Sequence, residues 1–235
     1  VKAWRNHVHV TLGGEHPTAY FESILGKCQA LDSIVRFEGE ETLLELVKKI
    51  DDRESLEEIR GVAFRKGGKV YATPPRPLIA NLDTLPFPAR DTMPLLLQKG
   101  GFPLISGSRG CPHRCTFCTA RKYYERPKGK ICRGRSPENV VDEIRQLKDR
   151  WGCDELWFVD ENFIRPGKPG KKGKEETRRI LGLMEEGNLR VKRLDFFCRA
   201  DSLVDDPDIM QAAARVGAGE VLLGVEAGVQ RILDI

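Results

Sequence analysis

The chain has 235 residues, of which 40% are hydrophobic and 31% charged, a composition typical of a folded protein with one large or two modest domains. Its formal net charge of +4 is compatible with an anionic ligand but too small to indicate nucleic-acid binding. No apolar run approaches the ~18 residues of a membrane span, and the start has no secretory signal pattern, so we expect a cytoplasmic protein.

The first 72 residues predict a small α/β unit. Residues 8–12 read as a buried strand that runs into the turn Gly13-Gly14. Helices are predicted over residues 17–25 and 40–50, with a strand over residues 31–37 between them. Residues 61–72 predict a hairpin around Gly67-Gly68.

Residues 73–98 predict a linker. Proline removes a backbone donor and fixes φ, so a proline-dense stretch disfavours helices and central strands. Six prolines occur within residues 73–94, at positions 74, 75, 77, 86, 88 and 94. We therefore expect an extended connection between a first domain, residues 1–72, and a second, residues 99–235.

The second domain alternates strands and helices. Strands are predicted at residues 102–106, 155–159, 194–198 and 221–225. Helices are predicted from Ser136 to Gly152, over residues 175–186, and from Pro207 to Gly217. This repeat is typical of a parallel sheet with right-handed crossovers, and we favour a barrel or partial barrel over an open sheet.

Polar side chains follow these predicted strands. Residues 160–162 (Asp-Glu-Asn) come after the second strand, Arg199 after the third and Glu226 after the fourth, while the first strand runs into a cysteine-rich loop. In parallel α/β barrels the carboxyl ends of the strands carry the chemistry. Four successive strand ends of this kind favour a functional site over surface polarity alone.

The cysteine-rich loop spaces Cys111, Cys115 and Cys118 as C-x3-C-x2-C. In a protein with seven cysteines and no secretory signal, thiolates at this spacing indicate a zinc or iron–sulfur site rather than disulfides. Structural zinc needs four ligands, and Cys132 is the candidate fourth. A cubane cluster on three thiolates instead leaves one iron open, which is typical of a catalytic site.

The segment 108–118, Ser-Arg-Gly-Cys-Pro-His-Arg-Cys-Thr-Phe-Cys, resembles the cluster loop of the radical S-adenosylmethionine (SAM) enzymes. Residues 133–138, 157–162, 198–201 and 223–228 resemble further segments of that family. The resemblance implies a 4Fe-4S cluster on Cys111, Cys115 and Cys118. It also implies reductive cleavage of SAM to a 5′-deoxyadenosyl radical, a small-molecule substrate and an electron donor such as flavodoxin or ferredoxin.

The resemblance also implies which residues contact SAM. The backbone of Phe117 would meet the adenine, and residues Asp160, Glu161 and Asn162 would hold the methionine amino group. Arg199 would pair with the methionine carboxylate and Glu226 with the ribose hydroxyls. The charges of these residues complement those of their expected partners.

The first half of the chain resembles the carboxyl half of a cobalamin-binding domain, in residues 13–18, 36–42 and 81–88. The resemblance implies a partial Rossmann-like domain, in which Gly13 and Gly14 let the backbone approach cobalamin. Phe37 stands where the family has glycine, and no Asp-x-His-x-x-Gly motif for a cobalt ligand occurs in the chain. We expect an internal piece of a longer enzyme that methylates, rearranges or cyclises a small molecule.

Two alternative functions are also compatible with the sequence, and one loop has two possible interpretations. A methylthiotransferase-like radical SAM enzyme would modify RNA or protein without cobalamin, and a zinc-binding interaction module would use Cys132. The glycine-rich basic loop at residues 165–174 is either a solvated loop or a lid that attracts an anionic substrate.

Overall fold

The computed structural model describes residues 7–165, 172–204 and 206–233. The chain forms two compact units. The first unit holds the residues up to Ala80 together with Arg114–Ile131, and the second holds Asn81–His113 together with the chain from Cys132 onward. The boundary after Ala80 falls within the predicted linker, and residues 114–131, inside the predicted second domain, group with the first unit.

The first unit contains a four-stranded sheet in the order β1-β2-β3-β4. Its strands are Thr11–Leu12, Ser33–Val35, Val62–Lys66 and Lys69–Ala72. Strands β1 and β2 are parallel, and the other pairs are antiparallel. The hairpin of β3 and β4 turns at Gly67-Gly68, where both glycines have positive φ, so the predicted turn is confirmed.

The first two strands are shorter than predicted. Residues 8–12 were expected to form one strand, but ladder pairing is confined to Thr11 and Leu12. Val10, just before β1, does not follow the regular pairing of a strand. Its carbonyl accepts hydrogen bonds from the amides of both Asp32 and Ser33, at 2.8 and 3.3 Å. The amide of Val10 in turn donates to the carboxylate of Asp32 at 2.7 Å, which replaces a ladder hydrogen bond.

Among the described residues, three α-helices belong to the first unit: α1 (Glu15–Lys27), α2 (Glu40–Asp51) and α4 (Ala120–Glu125). The two predicted helices are confirmed as α1 and α2. The sheet packs two apolar clusters, one around Leu25 and Ile34 and the other around Leu46 and Val62. All four of these side chains are essentially inaccessible to solvent.

The second unit contains a four-stranded sheet in the order β10-β9-β8-β5, with every pair parallel. Its strands are β5 (Leu104–Ile105), β8 (Glu155–Phe158), β9 (Arg193–Cys198) and β10 (Ala218–Leu223). The predicted parallel sheet is confirmed. A separate antiparallel pair joins β6 (Ser108–Arg109) to β7 (Arg133–Gly134).

The residues at the two ends of helix α5 (Pro137–Trp151) determine where it begins and ends. The hydroxyl of Ser136 accepts from the amide of Asn139 at 3.2 Å, Pro137 opens the first turn, and Gly152 ends the helix in the left-handed conformation. The helix buries Val140, Ile144 and neighbouring apolar residues in the main core of the unit, as predicted.

The remaining helices of the second unit are α3 (Met93–Gln98), α6 (Lys172–Glu186), α7 (Ala200–Val204), α8 (Pro207–Val216) and α9 (Gln230–Leu233). The expected extended connection over residues 73–98 was wrong at its end, since α3 occupies Met93–Gln98. Proline is tolerated there, because the amides of the first turn have no partner within the helix.

Two predictions concern other parts of the chain. No helix within the described ranges is both long enough and apolar enough to cross a membrane. Residues 166–171, most of the basic loop considered as a lid, lie outside the described residues.

Candidate functional site

Asp160 lies just beyond the end of β8 and is the most enclosed of the predicted site residues, with 2% of its surface exposed. One carboxylate oxygen accepts from the amide of Gly107 at 2.9 Å, and the other accepts from the hydroxyl of Ser108. The carboxylate therefore ties the end of β8 to the stretch that follows β5. The sequence predicted Asp160 as a site residue but gave no indication of these two partners.

Burial makes the carboxyl of Asp160 a weaker acid than that of a solvent-exposed aspartate. Burial raises the pKa of its carboxyl to about 6, and the hydrogen bonds from Ser108 and Gly107 oppose that rise. The positive charge of Arg165 also opposes it. The buried guanidinium of Arg165 pairs with Glu176 and occupies the space beside Gly134, where a Cβ would lie 1.8 Å from Nη1.

Glu161 and Asn162 follow with different surroundings. Glu161 is exposed, and its Oε2 accepts from the amide of Gly110 at 3.1 Å, one residue before Cys111. Asn162 is only 4% exposed, yet neither Oδ1 nor Nδ2 has a hydrogen-bond partner in the described part of the chain. A buried amide with neither end satisfied is costly and points to a missing ligand or water.

Arg199 lies directly after β9 and is held by Asp201. Its Nε lies 3.1 Å from both carboxylate oxygens of Asp201, and its Nη2 lies 2.7 Å from one of them. This bidentate pair orients the guanidinium and lowers the pKa of Asp201. Asp201, two residues after Arg199 and not among the predicted site residues, is therefore the residue that positions it.

His113 in the cysteine loop belongs to the electrostatic environment of this pair. Burial lowers its pKa, as does the charge of Arg199, while the charge of Asp201 raises it. Its Nε2 is buried without a partner among the described residues. The charges of Arg199 and Asp201 thus act on the His113 ring, a grouping that the sequence did not predict.

Glu226 follows β10 in an exposed stretch. Its φ is +54°, in the left-handed region that side chains other than Gly, Asn and Asp rarely adopt. Its Oε1 folds back to 2.7 Å from the position that a Cβ on Gly224 would take. The glycine at position 224 therefore leaves room for the carboxylate of Glu226.

In the first unit, Cys115 and Cys118 form one turn in which the amide of Cys118 donates to the carbonyl of Cys115 at 3.1 Å. Both cysteines line an open cavity of about 300 Å³ together with Arg114, Arg121 and Lys122. Phe117 lies between the two cysteines in sequence, and 65% of its surface is exposed. Cys111 and Cys132 belong to the second unit, and both are partly exposed.

All seven cysteines are thiols. Cys153 and Cys198 are buried in the core of the second unit, where burial raises the pKa of each thiol, to about 11 for Cys198. Such thiols are poor ligands. Among the described residues, no group of three or more His, Cys, Asp or Glu side chains is arranged to hold a metal ion.

A second cavity of the first unit, of about 420 Å³, lies at the start of α1. Its walls include Tyr20, Phe37 and Tyr123, and the rings of Phe37 and Tyr123 lie 5.5 Å apart. Gly14 precedes α1 with a φ of +103°, and a Cβ there would meet nothing within 4 Å. The backbone at Gly14 is thus open to a ligand, and Gly13 has only Val35 as a near neighbour.

Phe37 stands where the cobalamin-binding family has glycine. Its φ is +64°, a conformation that glycine adopts without steric cost, which explains the glycine of the family. The strain of a left-handed phenylalanine is offset locally. Its side chain is buried, and its amide donates to the hydroxyl of Thr18 at 3.0 Å. Burial raises the pKa of the neighbouring Tyr123 to about 12, so this hydroxyl stays protonated.

The residues present suit the groups that the resemblance implies. The three cysteines of the C-x3-C-x2-C loop supply soft thiolate donors, as an iron–sulfur cluster requires. The amide of Asn162 offers an unused donor and an unused acceptor to a polar ligand such as SAM. The open backbone at Gly14 beside an aromatic-walled cavity suits a large planar cofactor.

Comparison with known proteins identifies relatives over nearly the whole chain. An uncharacterized methyltransferase from Pyrococcus horikoshii is 33% identical over 235 residues, which cover 97% of this chain and 47% of the relative. The anaerobic magnesium-protoporphyrin IX monomethyl ester cyclase of Synechocystis is 31% identical, over 92% of this chain and 42% of the relative. The chain spans less than half the length of both.

Solved structures confirm the α/β fold. The cobalamin-dependent SAM radical enzyme OxsB, with aqua-cobalamin and SAM bound, superposes with a TM-score of 0.79 at 24% identity, over 95% of this chain and 32% of that one. The radical SAM methyltransferase TsrM from Kitasatospora setae, with cobalamin and a [4Fe-4S] cluster bound, gives 0.70 at 18% identity, over 92% and 42%.

The family model described as the Radical SAM superfamily matches residues 105–235, more than half of the chain. The matched region contains the cysteine loop and every strand of the parallel sheet except the first residue of β5. The chain therefore belongs to the radical SAM superfamily.

Proposed function

We propose that the chain is part of a cobalamin-linked radical SAM enzyme that methylates or oxidatively cyclises a small molecule. The observation that carries this proposal is the C-x3-C-x2-C loop of Cys111, Cys115 and Cys118, which lies inside the region matched by the family model. When bound and reduced, a 4Fe-4S cluster supplies one electron that splits SAM into methionine and a 5′-deoxyadenosyl radical. The three cysteines are the proposed ligands of that cluster.

The strand-end residues have the chemistry to hold the methionine part of SAM. Glu161 supplies a carboxylate for the ammonium group, and the unsatisfied amide of Asn162 supplies a donor and an acceptor. Arg199, already oriented by Asp201, supplies a guanidinium for the carboxylate group. Asp160 has both oxygens occupied, so we assign it to positioning the stretch from Gly107 to Ser108.

Two further residues complete the proposed SAM contacts. Glu226 offers an exposed carboxylate for the ribose hydroxyls, and Gly224 leaves room for it. Phe117 offers its backbone to the adenine, and its exposed ring adds apolar surface beside the cluster ligands.

Cobalamin is proposed to bind the first unit at Gly13 and Gly14. The support is the open backbone at Gly14, the adjacent aromatic-walled cavity of about 420 Å³ and the likeness in fold to two enzymes solved with cobalamin. Because the Asp-x-His-x-x-Gly motif does not occur in this chain, we assign no histidine of the chain as a cobalt ligand. The three histidines near the start, His7, His9 and His16, therefore have no role in the proposal.

The test uses the full-length protein, reconstituted anaerobically with iron and sulfide. We expect about four irons per chain, by the definition of the cluster, and 5′-deoxyadenosine on addition of SAM and a reductant. Cys115→Ala should lose both properties. Cys28→Ala is the matched control, because Cys28 is an exposed thiol of the same unit and should keep both. Retention of both properties by Cys115→Ala would contradict the proposal.

Retained cobalamin discriminates between the proposed enzyme and a methylthiotransferase-like modifier. We expect the full-length protein to purify with cobalamin or to bind it, with an absorption spectrum that changes on reduction. Gly14→Val places a branched side chain at a position with a φ of +103° and should lower cobalamin binding without changing the iron content.

A further inference from the structure

Strand β5 lies at one edge of the parallel sheet, so in the described part of the chain only one side of it faces another strand. The carbonyls of Pro103 and Ile105 face that side and accept hydrogen bonds from amides in and just after β8, at 3.2 and 2.9 Å. Carbonyls alternate in direction along a strand, so those of Leu104 and Ser106 face the open edge. Backbone acceptors at a strand edge need other partners.

Two arginine side chains supply those partners. Nη2 of Arg90 donates to the carbonyl of Leu104 at 3.0 Å, and Nη1 of Arg135 donates to the carbonyl of Ser106 at 3.0 Å. The backbone amide of Arg135 donates to the next carbonyl, that of Gly107, at 2.9 Å. The outer edge of β5 and the stretch that follows it are therefore held by two arginines rather than by a strand.

A single carboxylate from α5 holds both arginines. Glu143 is 2% exposed; its Oε1 accepts from Nη2 of Arg90 at 2.8 Å, and its Oε2 accepts from Nη1 of Arg135 at 2.5 Å. Asn139, one turn earlier on the helix, accepts from Nε and Nη2 of Arg135 at 2.6 and 3.0 Å. The nitrogen with which each arginine reaches a carbonyl is thus the same nitrogen that Glu143 binds, so this carboxylate sets the position of both donors.

Three largely buried charges are a poor means of stabilising a fold. The desolvation cost of the carboxylate and the two guanidinium groups opposes their attraction, so apolar residues of similar volume would serve stability equally well. Such charges do specify a geometry, because a guanidinium is a planar fork that meets its acceptors in one orientation. The geometry that this group specifies is the path of residues 104–107.

We propose that Glu143 is a positioning residue that, through Arg90 and Arg135, fixes the path of the chain from β5 to Cys111. Cys111 follows Gly107 by four residues. The proposal rests on the proposed function, in which Cys111 is a ligand of the cluster. Glu143 has no assigned contact with the cluster or with SAM and acts through the two arginines. Partners of this kind around a metal site commonly change affinity or activity by about 10- to 100-fold when they are removed.

The test compares Glu143→Gln with Asp142→Asn in the full-length protein, reconstituted anaerobically with iron and sulfide. Gln keeps the shape of Glu but presents an NH₂ group to one of the two arginines. We expect Glu143→Gln to retain its iron but to bind SAM about tenfold more weakly, with an altered electron paramagnetic resonance spectrum of the reduced cluster in the presence of SAM. Asp142→Asn removes the charge of an exposed neighbour on α5 and should change neither property.

A second variant decides if Glu143→Gln fails to fold. Arg135→Lys keeps the positive charge and the backbone amide, but one ammonium group cannot reproduce the fork that meets Ser106, Asn139 and Glu143. It should weaken SAM binding and alter the spectrum in the same way. Normal SAM affinity and a normal spectrum in the folded, iron-loaded variants would overturn the proposal, and any loss of activity would then reflect lost folded protein alone.

Hydrogen exchange of the apo protein separates this proposal from the proposed function. In Glu143→Gln the amide of Gly107 should exchange at least about tenfold faster than in Asp142→Asn or in the unmodified protein. If exchange accelerates in this way but the unmodified protein neither holds a cluster nor cleaves SAM, the proposed function fails and Glu143 still fixes the path of the chain. Unchanged exchange at Gly107 would overturn the assignment of Glu143.

Discussion

The carboxylate beyond β8 and the cysteine turn before α4 have opposite characters. Asp160 is 2% exposed, and both of its oxygens accept hydrogen bonds from Gly107 and Ser108. Phe117 between Cys115 and Cys118 is 65% exposed, and the cavity that both cysteines line also has Arg114, Arg121, Lys122 and Glu125 in its walls. The hydrogen-bonding capacity of Asp160 is thus used within the fold, whereas the cysteine turn exposes its side chains to solvent.

This difference indicates how the two regions serve a radical SAM enzyme. A parallel sheet with a packed core holds side chains in place before any ligand arrives, which is what a binding constellation requires. An exposed turn gains order from the cofactors that it binds instead. We therefore expect substitution of Asp160 to affect stability and substitutions in the cysteine turn to affect binding.

The largest effect on the sheet is expected at Gly217, which ends α8 and leads into β10. Its φ is +109°, and a Cβ there would lie 2.0 Å from the carbonyl oxygen of Val191. Gly217→Ala should therefore lower the free energy of unfolding by about 4 kcal/mol or more, since backbone must move. The matched control is Gly152→Ala, because Gly152 also ends a helix at positive φ but has nothing within 4 Å.

Denaturant unfolding of both variants checks this prediction. Gly152→Ala should cost only about 1 kcal/mol, the price of a left-handed alanine. Equal losses in the two variants would show that the close approach of Gly217 to Val191 does not constrain the sheet.

Removing the Asp160 carboxylate should have the next largest effect. Asp160→Ala leaves the amide of Gly107 and the hydroxyl of Ser108 buried without their acceptor, and should lower the free energy of unfolding by about 3 kcal/mol. Asp142→Ala, which removes an exposed carboxylate from α5, should cost less than about 0.5 kcal/mol. A loss below 1 kcal/mol in Asp160→Ala would show that the fold does not depend on this connection.

The same carboxylate should make stability depend on pH. Its pKa is about 6 in the folded chain and 3.8 in the unfolded reference, so the unfolded chain ionises first as the pH rises. The free energy of unfolding should therefore fall by about 2–3 kcal/mol between pH 4 and pH 7 through this group alone. Thermal unfolding of Asp160→Asn, which does not titrate, should lack that part of the decrease. Identical pH profiles for the two proteins would contradict the assignment.

The smallest effect on stability is expected at Phe117. Because its ring is 65% exposed, Phe117→Ala should change the free energy of unfolding by less than about 0.5 kcal/mol. A loss of stability above 1 kcal/mol would place Phe117 with Asp160 as part of the folded framework.

Much of the fold was predictable, because its signals are local. Ser136, Pro137 and Gly152 specify both ends of α5 through capping chemistry, and the structure has the predicted helix. Strand lengths were less predictable, since pairing is decided by distant partners such as Asp32 for Val10. Helix α4 was missed because its six residues carry no cap hydrogen bond and follow the cysteine turn directly.

The site was predictable in composition rather than in geometry. The cysteine spacing and the polar residues at strand ends could be read from the chain, and the family match at residues 105–235 confirms the superfamily. That match also argues against the alternative hypothesis of a zinc-binding interaction module, since it includes the cysteine loop. The pairing of Arg199 with Asp201 and of Asp160 with Ser108 arises from tertiary approach, to which no sequence pattern corresponds.

Hydrogen exchange of single amides tests the contrast between the two regions most directly. The amide of Gly107 donates to Asp160 at 2.9 Å, and we expect it to exchange slowly in the apo protein and to change less than about twofold when cluster and SAM are added. The amides of Thr116 and Phe117 should exchange fast in the apo protein and slow at least about tenfold on addition of both cofactors. Fast exchange at Gly107 in the apo protein, or equal slowing in both regions, would contradict the view that only the cysteine turn is completed by its ligands.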